Sequence, residues 1–163
     1  MCMVDTVLLT KQTIEKGGVL AQLYFTLDGD NKETLKKIGT GFIQTLLKEK
    51  GVVTVFGEIE EPIENDKIFS TSIDVKILTK SFFVLLRICA SYSPISVEVK
   101  KPNELKIPLS EAHEIIMHIS TTTFEYKRHI LTKLASKEEL EVHKRTLENR
   151  IALGEKLLKR DDS

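Results

Sequence analysis

The chain has 163 residues, and its 24 lysines and arginines are balanced by 24 aspartates and glutamates. This length predicts one compact fold with a sizeable core, and the zero net charge makes general attraction to nucleic acid or anionic lipid unlikely. No segment reaches the roughly 20 consecutive apolar residues of a membrane-spanning helix, so no membrane partner is expected.

The N-terminal segment carries short apolar patches and few other signals. Val4–Lys11 predicts an extra strand, and Glu15–Gly18 predicts a turn. The first residues lack a basic region and a small-residue cleavage site, so we expect no signal peptide. Cys2 and Cys89 are the only cysteines, which makes a disulfide framework unexpected. These features predict a protein of the reducing cytoplasm, and the 29% of charged residues is compatible with a thermophile.

Four segments between residues 19 and 101 have apolar residues at every second position, which is the pattern of a half-buried strand. The segments are Val19–Leu27, Val52–Ile59, Phe69–Ile77 and Pro94–Lys101. Pro62–Lys67 contains Glu-Asn-Asp and predicts the turn between the second and third strands.

The segment after the first strand has apolar residues at helical spacing. Asp30 is the predicted N-cap, with Glu33 in the capping-box position. Gly39 and Gly41 lie inside this helix, where each glycine costs roughly 1 kcal/mol relative to alanine. We therefore expect another element to pack closely against the helix backbone at both glycines.

A second helix, Phe82–Tyr92, is apolar on most sides and has Ser81 as its predicted N-cap. The order from Val19 onward is βαββαβ, which predicts an α+β, ferredoxin-like antiparallel sheet with both helices on one face. The extra N-terminal strand cannot pair with the first strand without displacing the last. Either it attaches elsewhere, which we expect, or the fold is a related ββαββα arrangement. Residues 1–102 form the predicted core, and residues 103–163 form a two-helix C-terminal extension.

The extension begins with a helix that Ser110 is expected to cap and that runs to about Leu134. The last helix runs from Lys137 to about Lys159 and carries a narrow apolar stripe. Its residues are Leu140, Leu147, Ile151 and Leu158. Such a stripe favours contact with another helix, and we predict that it mediates self-association, most simply as a homodimer.

No catalytic or metal-binding motif is complete in the sequence. His113 and His118 are five residues apart, whereas a helical zinc protease site needs histidines four apart on one helix face. Ser81 and Ser110 are explained as helix caps and have no nucleophile context. We therefore predict no catalytic residue, no metal ligand and no cofactor.

The sheet face opposite the two helices is the predicted face for a ligand or partner. The residues that we predict to contact the ligand or partner are Tyr24, Phe56, Ser70 and Ser72. RNA-binding sheets carry stacked aromatic and basic residues on their central strands, and this face does not match that pattern.

The sequence thus predicts a non-catalytic binding or regulatory module that acts as a homo-oligomer and holds a protein or small-molecule partner. Two alternatives remain open. A nucleic-acid-binding protein would need a local cluster of cations, drawn from Lys100, Lys101, Lys106, Lys127 and Arg128. An enzyme would need a pocket at the subunit interface, where His113 or His118 meets a carboxylate.

Overall fold

The computed structural model describes residues 3–65, 68–134 and 137–158. Its helices are α1 (Met3–Glu15), α2 (Lys32–Lys48), α3 (Phe82–Tyr92), α4 (Leu109–Leu134) and α5 (Lys137–Leu158). Its strands are β1 (Val19–Gly29), β2 (Val52–Ile59), β3 (Ile63–Asn65), β4 (Ile68–Thr79) and β5 (Ser96–Lys101). The protein is therefore of the α+β class, as the sequence predicted.

The chain divides into two compact units, residues 1–117 and 118–163, and α4 crosses the boundary between them. The structure places the division after Met117, later in the chain than the division that we predicted after Pro102. The sheet belongs entirely to the first unit, and the second unit consists of the remainder of α4 together with α5.

The sheet has five strands within the described residues, with the order β2-β4-β1-β5 and with β3 beside β4. Every paired neighbour is antiparallel. β1 and β4 are the two central strands, and they pair along their whole length from Val19 opposite Thr79 to Gly29 opposite Phe69.

One face of this sheet forms the hydrophobic core. The alternation of β1 and β4 places these residues on it, all buried: Val19, Ala21, Leu23, Phe25, Ile73, Val75 and Ile77. Leu46 of α2 and both Leu85 and Ile88 of α3 pack against them. The helices cover the same face because a period-2 strand pattern offers only one continuous apolar surface.

α2 begins one residue later than expected, because its N-cap is Asn31 rather than Asp30. The Asn31 side chain accepts hydrogen bonds from the backbone N–H groups of Glu33 and Thr34. The close approach predicted at Gly39 is confirmed, since a Cβ there would lie 2.8 Å from Ile59 Cδ1. The same expectation for Gly41 is wrong, because that position faces open space.

The N-terminal segment forms helix α1, so the predicted extra strand is wrong. The helix ends in a Schellman motif, in which Gly18 N–H donates to Thr13 O at 2.8 Å and Gly17 N–H donates to Ile14 O at 3.0 Å. Gly17 has a φ of +93°, which is the left-handed conformation that this motif requires. The Gly17–Gly18 pair that predicts a turn therefore ends a helix.

Two smaller boundaries also differ from expectation. Part of the predicted turn after β2 forms β3, which pairs with β4 from Ile63 opposite Ser70 to Asn65 opposite Ile68. α4 begins at Leu109, which places Ser110 inside its first turn rather than at its cap. The Ser81 cap of α3 is confirmed by the hydrogen bond that its side chain accepts from Val84 N–H. Among the described helices, none combines the length and the apolar character that crossing a bilayer requires.

Candidate functional site

Helix α1 covers one end of the sheet face that lies opposite the core. Leu78 of β4 is on this second face, opposite Leu20 of β1 and Thr54 of β2, yet it is fully buried. α1 approaches closely because Gly18 has no side chain: a Cβ there would lie 2.6 Å from Thr79 O and 2.7 Å from Thr13 O. Gly18, the second glycine of the pair that ends α1, thus also allows the helix to lie against the sheet.

An open groove of about 540 Å³ runs between α1 and this end of the sheet; we call it the α1 groove. Helix α1 contributes Thr6, Val7, Thr10, Lys11, Ile14 and Glu15. The sheet contributes Leu20, Thr54, Phe56, Lys76 and Lys101. Pockets for small ligands in proteins have similar volumes and a similar mixture of apolar walls and a few polar groups.

The floor of the α1 groove crosses the sheet at right angles to the strands. One row of paired residues passes over β2, β4, β1 and β5 in the order Thr54, Leu78, Leu20 and Lys101, and all of them except the buried Leu78 line the groove. Phe56 and Lys76 form the adjacent row at the β2 side. Because neighbouring strands are about 4.8 Å apart, the floor is about 14 Å long between its outer strands. The site is therefore elongated.

A β-bulge in β5 determines which lysine faces the α1 groove. Ala21 pairs with Val99 and Leu20 pairs with Lys101, so Lys100 has no partner of its own on β1. In a regular ladder Lys100 would lie opposite Leu20, and Lys101 would point to the core face. The bulge brings Lys101 to the groove, while Lys100 forms a 2.6 Å salt bridge with Glu98 that raises the pKa of Lys100.

The α1 groove carries more positive than negative charge. Lys11, Lys76 and Lys101 line it, with Glu15 as the acidic residue of the lining. None of these three lysines forms a salt bridge with any carboxylate whose position the structure describes. Asp74, two residues from Lys76 on the same face, accepts a hydrogen bond from the amide of Gln22. The groove thus offers ammonium groups that have no counterion among the described side chains.

The four residues predicted as a ligand or partner face do lie on the second face, but they are not brought together. Phe56 is half exposed and lines the α1 groove. Tyr24 lies opposite Asp74 and Ser96, outside the groove lining. Ser72 lies opposite Thr26, and Ser70 donates a 2.5 Å hydrogen bond to Asp28 Oδ1 at the far end of β4. Their role in partner binding stays a prediction.

In the second unit, α4 and α5 enclose a separate cavity of about 620 Å³ lined by Arg128, His129, Leu131 and Leu147, among others. Leu147 belongs to the stripe predicted for self-association and is half-buried, whereas Ile151 is exposed. Leu140 and Leu158 lie within α5, but their side chains are outside the described positions. Self-association stays a prediction.

The residues of the two alternative functions have the following positions. His113 and His118 both lie on α4, and no group of three or more His, Cys, Asp or Glu side chains in the described part of the chain is arranged to hold a metal ion. Among the cations considered for nucleic acid, Lys100 is paired with Glu98 and Arg128 is paired with Glu125 at 2.9 Å. These pairs reduce the charge available to phosphates.

Sequence reasoning identified one residue of the groove lining, Phe56, as a candidate and missed the helix that makes the site. The local signal for α1 lies only at its end, because the hydroxyls of Thr10 and Thr13 reach the carbonyls four residues earlier only once the helix has formed. Gly17 and Gly18 then mark a helix end. Lys76 and Lys101 had no such signal, because an isolated lysine on a strand also fits a solvated surface.

The sequence pattern of the MJ0538 family matches residues 20–149, which include every sheet residue of the α1 groove and follow α1 itself. No curated protein and no solved structure matches the chain. The match covers well over half of the 163 residues, so the chain belongs to the MJ0538 family.

Proposed function

We propose that this member of the MJ0538 family is a non-catalytic binding module that holds a small ligand in the α1 groove. The observation that supports this function is the groove itself: a 540 Å³ space with apolar walls and three lysines that form no salt bridge with a described carboxylate. Concave sites with apolar walls and a few polar groups are the common form of ligand site in proteins.

The polar groups of the α1 groove favour binding over catalysis. Thr10 donates its hydroxyl proton to Thr6 O at 2.8 Å, which leaves only acceptor capacity toward the groove. The lining contains no histidine or cysteine, and its only carboxylate among the described side chains is Glu15. The described lining therefore offers no cysteine nucleophile and no histidine base.

The test fills the groove with a side chain and uses a matched control. Thr10 and Thr45 both lie in helices and both donate to the carbonyl four residues earlier, but only Thr10 lines the groove. A small-molecule library is titrated into ¹⁵N-labelled protein. We expect ligands that shift groove amides to lose binding in Thr10→Phe and to retain it in Thr45→Phe. Equal binding by both variants, or shifts centred elsewhere, would contradict the proposal.

We also propose that the protein assembles as a homodimer through the second unit. The supporting observation is the exposure of apolar side chains on both helices there: Ile119 and Tyr126 on α4, and Val142 and Ile151 on α5. Several exposed apolar side chains on one pair of helices suit an interaction site. A closed two-fold dimer is the commonest way to bury it.

Sedimentation of point variants tests the dimer. Ile151 is 56% exposed on α5, and Leu47 is 50% exposed on α2 in the first unit, so the two leucine-sized side chains are matched in exposure. We expect Ile151→Ser to weaken a concentration-dependent dimer and Leu47→Ser to leave it unchanged. A monomeric wild-type protein at all concentrations would remove the proposed role of α5.

We propose, finally, that the first unit has the ferredoxin-like topology and that the protein works in the cytoplasm. The strand order β2-β4-β1-β5 and the packing of α2 and α3 on one face support the topology. Cys89 is a half-buried free thiol, and burial raises its pKa, which suits a structural cysteine in a reducing compartment.

A further inference from the structure

We propose that the ligand of the α1 groove is an elongated amphipathic monoanion: an apolar chain that ends in a single carboxylate. This inference rests on the proposed function and adds the class of ligand. Three independent properties of the groove lead to it, namely its exposed apolar walls, its three lysines without a counterion among the described side chains, and its length.

The apolar walls require an apolar ligand body. Val7 of α1 is 71% exposed and Phe56 of β2 is 52% exposed, although both face the same groove. Ile14 and Leu20, which also line the groove, are half-buried. A hydrocarbon chain laid along the groove would remove this surface from water, whereas a polar ligand would leave it unfavourably hydrated or bury polar groups without partners.

The lysines require a negative head group. Lys11, Lys76 and Lys101 outnumber the single Glu15, so the site attracts an anion and repels a cation. Each lysine ammonium has three rotatable donors and suits a carboxylate oxygen in a charge-assisted hydrogen bond. Because all three lysines keep contact with solvent, a carboxylate can exchange water for ammonium donors without full desolvation.

The length of the floor selects a chain over a compact acid. The groove crosses four strands and about 14 Å, from Thr54 and Phe56 on β2 to Lys101 on β5. A short acid such as acetate reaches the lysines but covers none of the apolar wall. An extended chain of medium length covers both.

Calorimetric titration of the full-length protein with four compounds tests the class of ligand. The compounds are decanoate, 1-decanol, decyltrimethylammonium and acetate, which vary the charge and the chain separately. We expect decanoate to bind most tightly, 1-decanol about tenfold more weakly, and the other two not measurably; tenfold corresponds to ~1.4 kcal/mol. Amide shifts of residues lining the α1 groove locate the binding.

Lysine variants then connect the charge preference to the groove. The double variant Lys76→Gln/Lys101→Gln is expected to weaken decanoate about tenfold and to leave 1-decanol unchanged. The control is Lys37→Gln/Lys80→Gln, two exposed lysines outside the groove lining, and it should bind both compounds as the wild type does. Phe56→Ala is expected to weaken both compounds.

The outcomes separate this inference from the proposed function. Binding of decanoate and 1-decanol with equal affinity, unaffected by the lysine double variant, would overturn the anionic class while the groove remains a binding site. Failure of both chain compounds to shift any groove amide would overturn the inference, and failure of the whole library to do so would overturn the proposed function as well.

Discussion

The two faces of the sheet are built from the same strands but differ in how they are covered. On the core face, Leu23 and Val75 are fully buried under α2 and α3. On the second face, α1 covers only one end, so Leu78 is buried while Lys76, two residues away, is exposed. Close cover of the central strands provides a dry core and stability, although Val97 and Val99 of β5 stay exposed on this face. Partial cover of the second face leaves a shaped space beside the sheet. We therefore assign folding stability to the first face and binding to the second.

The largest expected effect comes from shortening two leucines of β1 that point to opposite faces of the sheet. Leu23→Ala creates a cavity in the core, and the expected loss in the free energy of unfolding is about 3 kcal/mol. Leu20→Ala removes a half-buried side chain beside the groove, and the expected loss is about 1 kcal/mol. Urea unfolding of both variants measures the difference. Equal losses would mean that the second face is packed as tightly as the first.

The next effect concerns the close approach of α1 to the sheet. Gly18→Ala places a Cβ within 2.6–2.7 Å of two carbonyl oxygens, so α1 has to move. We expect a loss of about 2 kcal/mol in the free energy of unfolding, together with weaker binding at the α1 groove. Gly41→Ala, at a helical glycine that faces open space, should gain about 0.5–1 kcal/mol. A neutral Gly18→Ala would show that α1 is held away from Thr79 in solution.

A smaller effect distinguishes the observed cap of α2 from the cap that the sequence suggested. Asn31→Ala removes the acceptor for two backbone N–H groups, and we expect a loss of about 1 kcal/mol in the free energy of unfolding. Asp30→Ala serves as the control and should change stability by less than about 0.5 kcal/mol. The reverse order of the two losses would restore Asp30 as the cap.

The smallest effect depends on pH. Tyr92 donates a 2.6 Å hydrogen bond to Glu49 Oε1; this bond, with a smaller effect of burial, raises the pKa of Tyr92. A raised folded-state pKa stabilises the protein below the unfolded tyrosine pKa of about 10 and is lost as the pH rises through the folded value. We expect Tyr92→Phe to lose about 0.5 kcal/mol near neutral pH and to match the wild type in strong alkali. A gap in urea midpoints that widens with rising pH would contradict this.

Most of the first unit could be predicted from the sequence, because its strands and helices carry strong periodic patterns. The alternation of Val19, Ala21 and Leu23 indicated the core face, and Ser81 indicated the start of α3. The failure at α1 has a physical cause: this short helix carries adjacent exposed apolar residues, Val7 and Leu8, and so lacks a clear amphipathic pattern. The helix is therefore stabilised by its packing against the sheet, which its sequence pattern does not reveal.

Most residues of the candidate site could not be predicted from the sequence. Phe56 was expected on the second face and is there, but the groove depends on where α1 lies, which no local pattern contains. Lys101 reaches the groove only through the bulge at Lys100, and an irregularity of one residue leaves no periodic signal. Sites made by partial cover of a sheet are therefore harder to read from a sequence than the core beneath them.

The unpaired Lys100 has a consequence for how the chain tolerates changes in length. Losing one residue from a strand normally inverts every later side chain, since the ladder has a period of two. Removal of Lys100 instead leaves Val99 opposite Ala21 and Lys101 opposite Leu20, as they are now. Only an exposed ion pair with Glu98 disappears. A chain that lacks this residue therefore keeps the side chains of Val99 and Lys101 on their present faces. Insertion or deletion at this position can occur without changing which residues line the α1 groove.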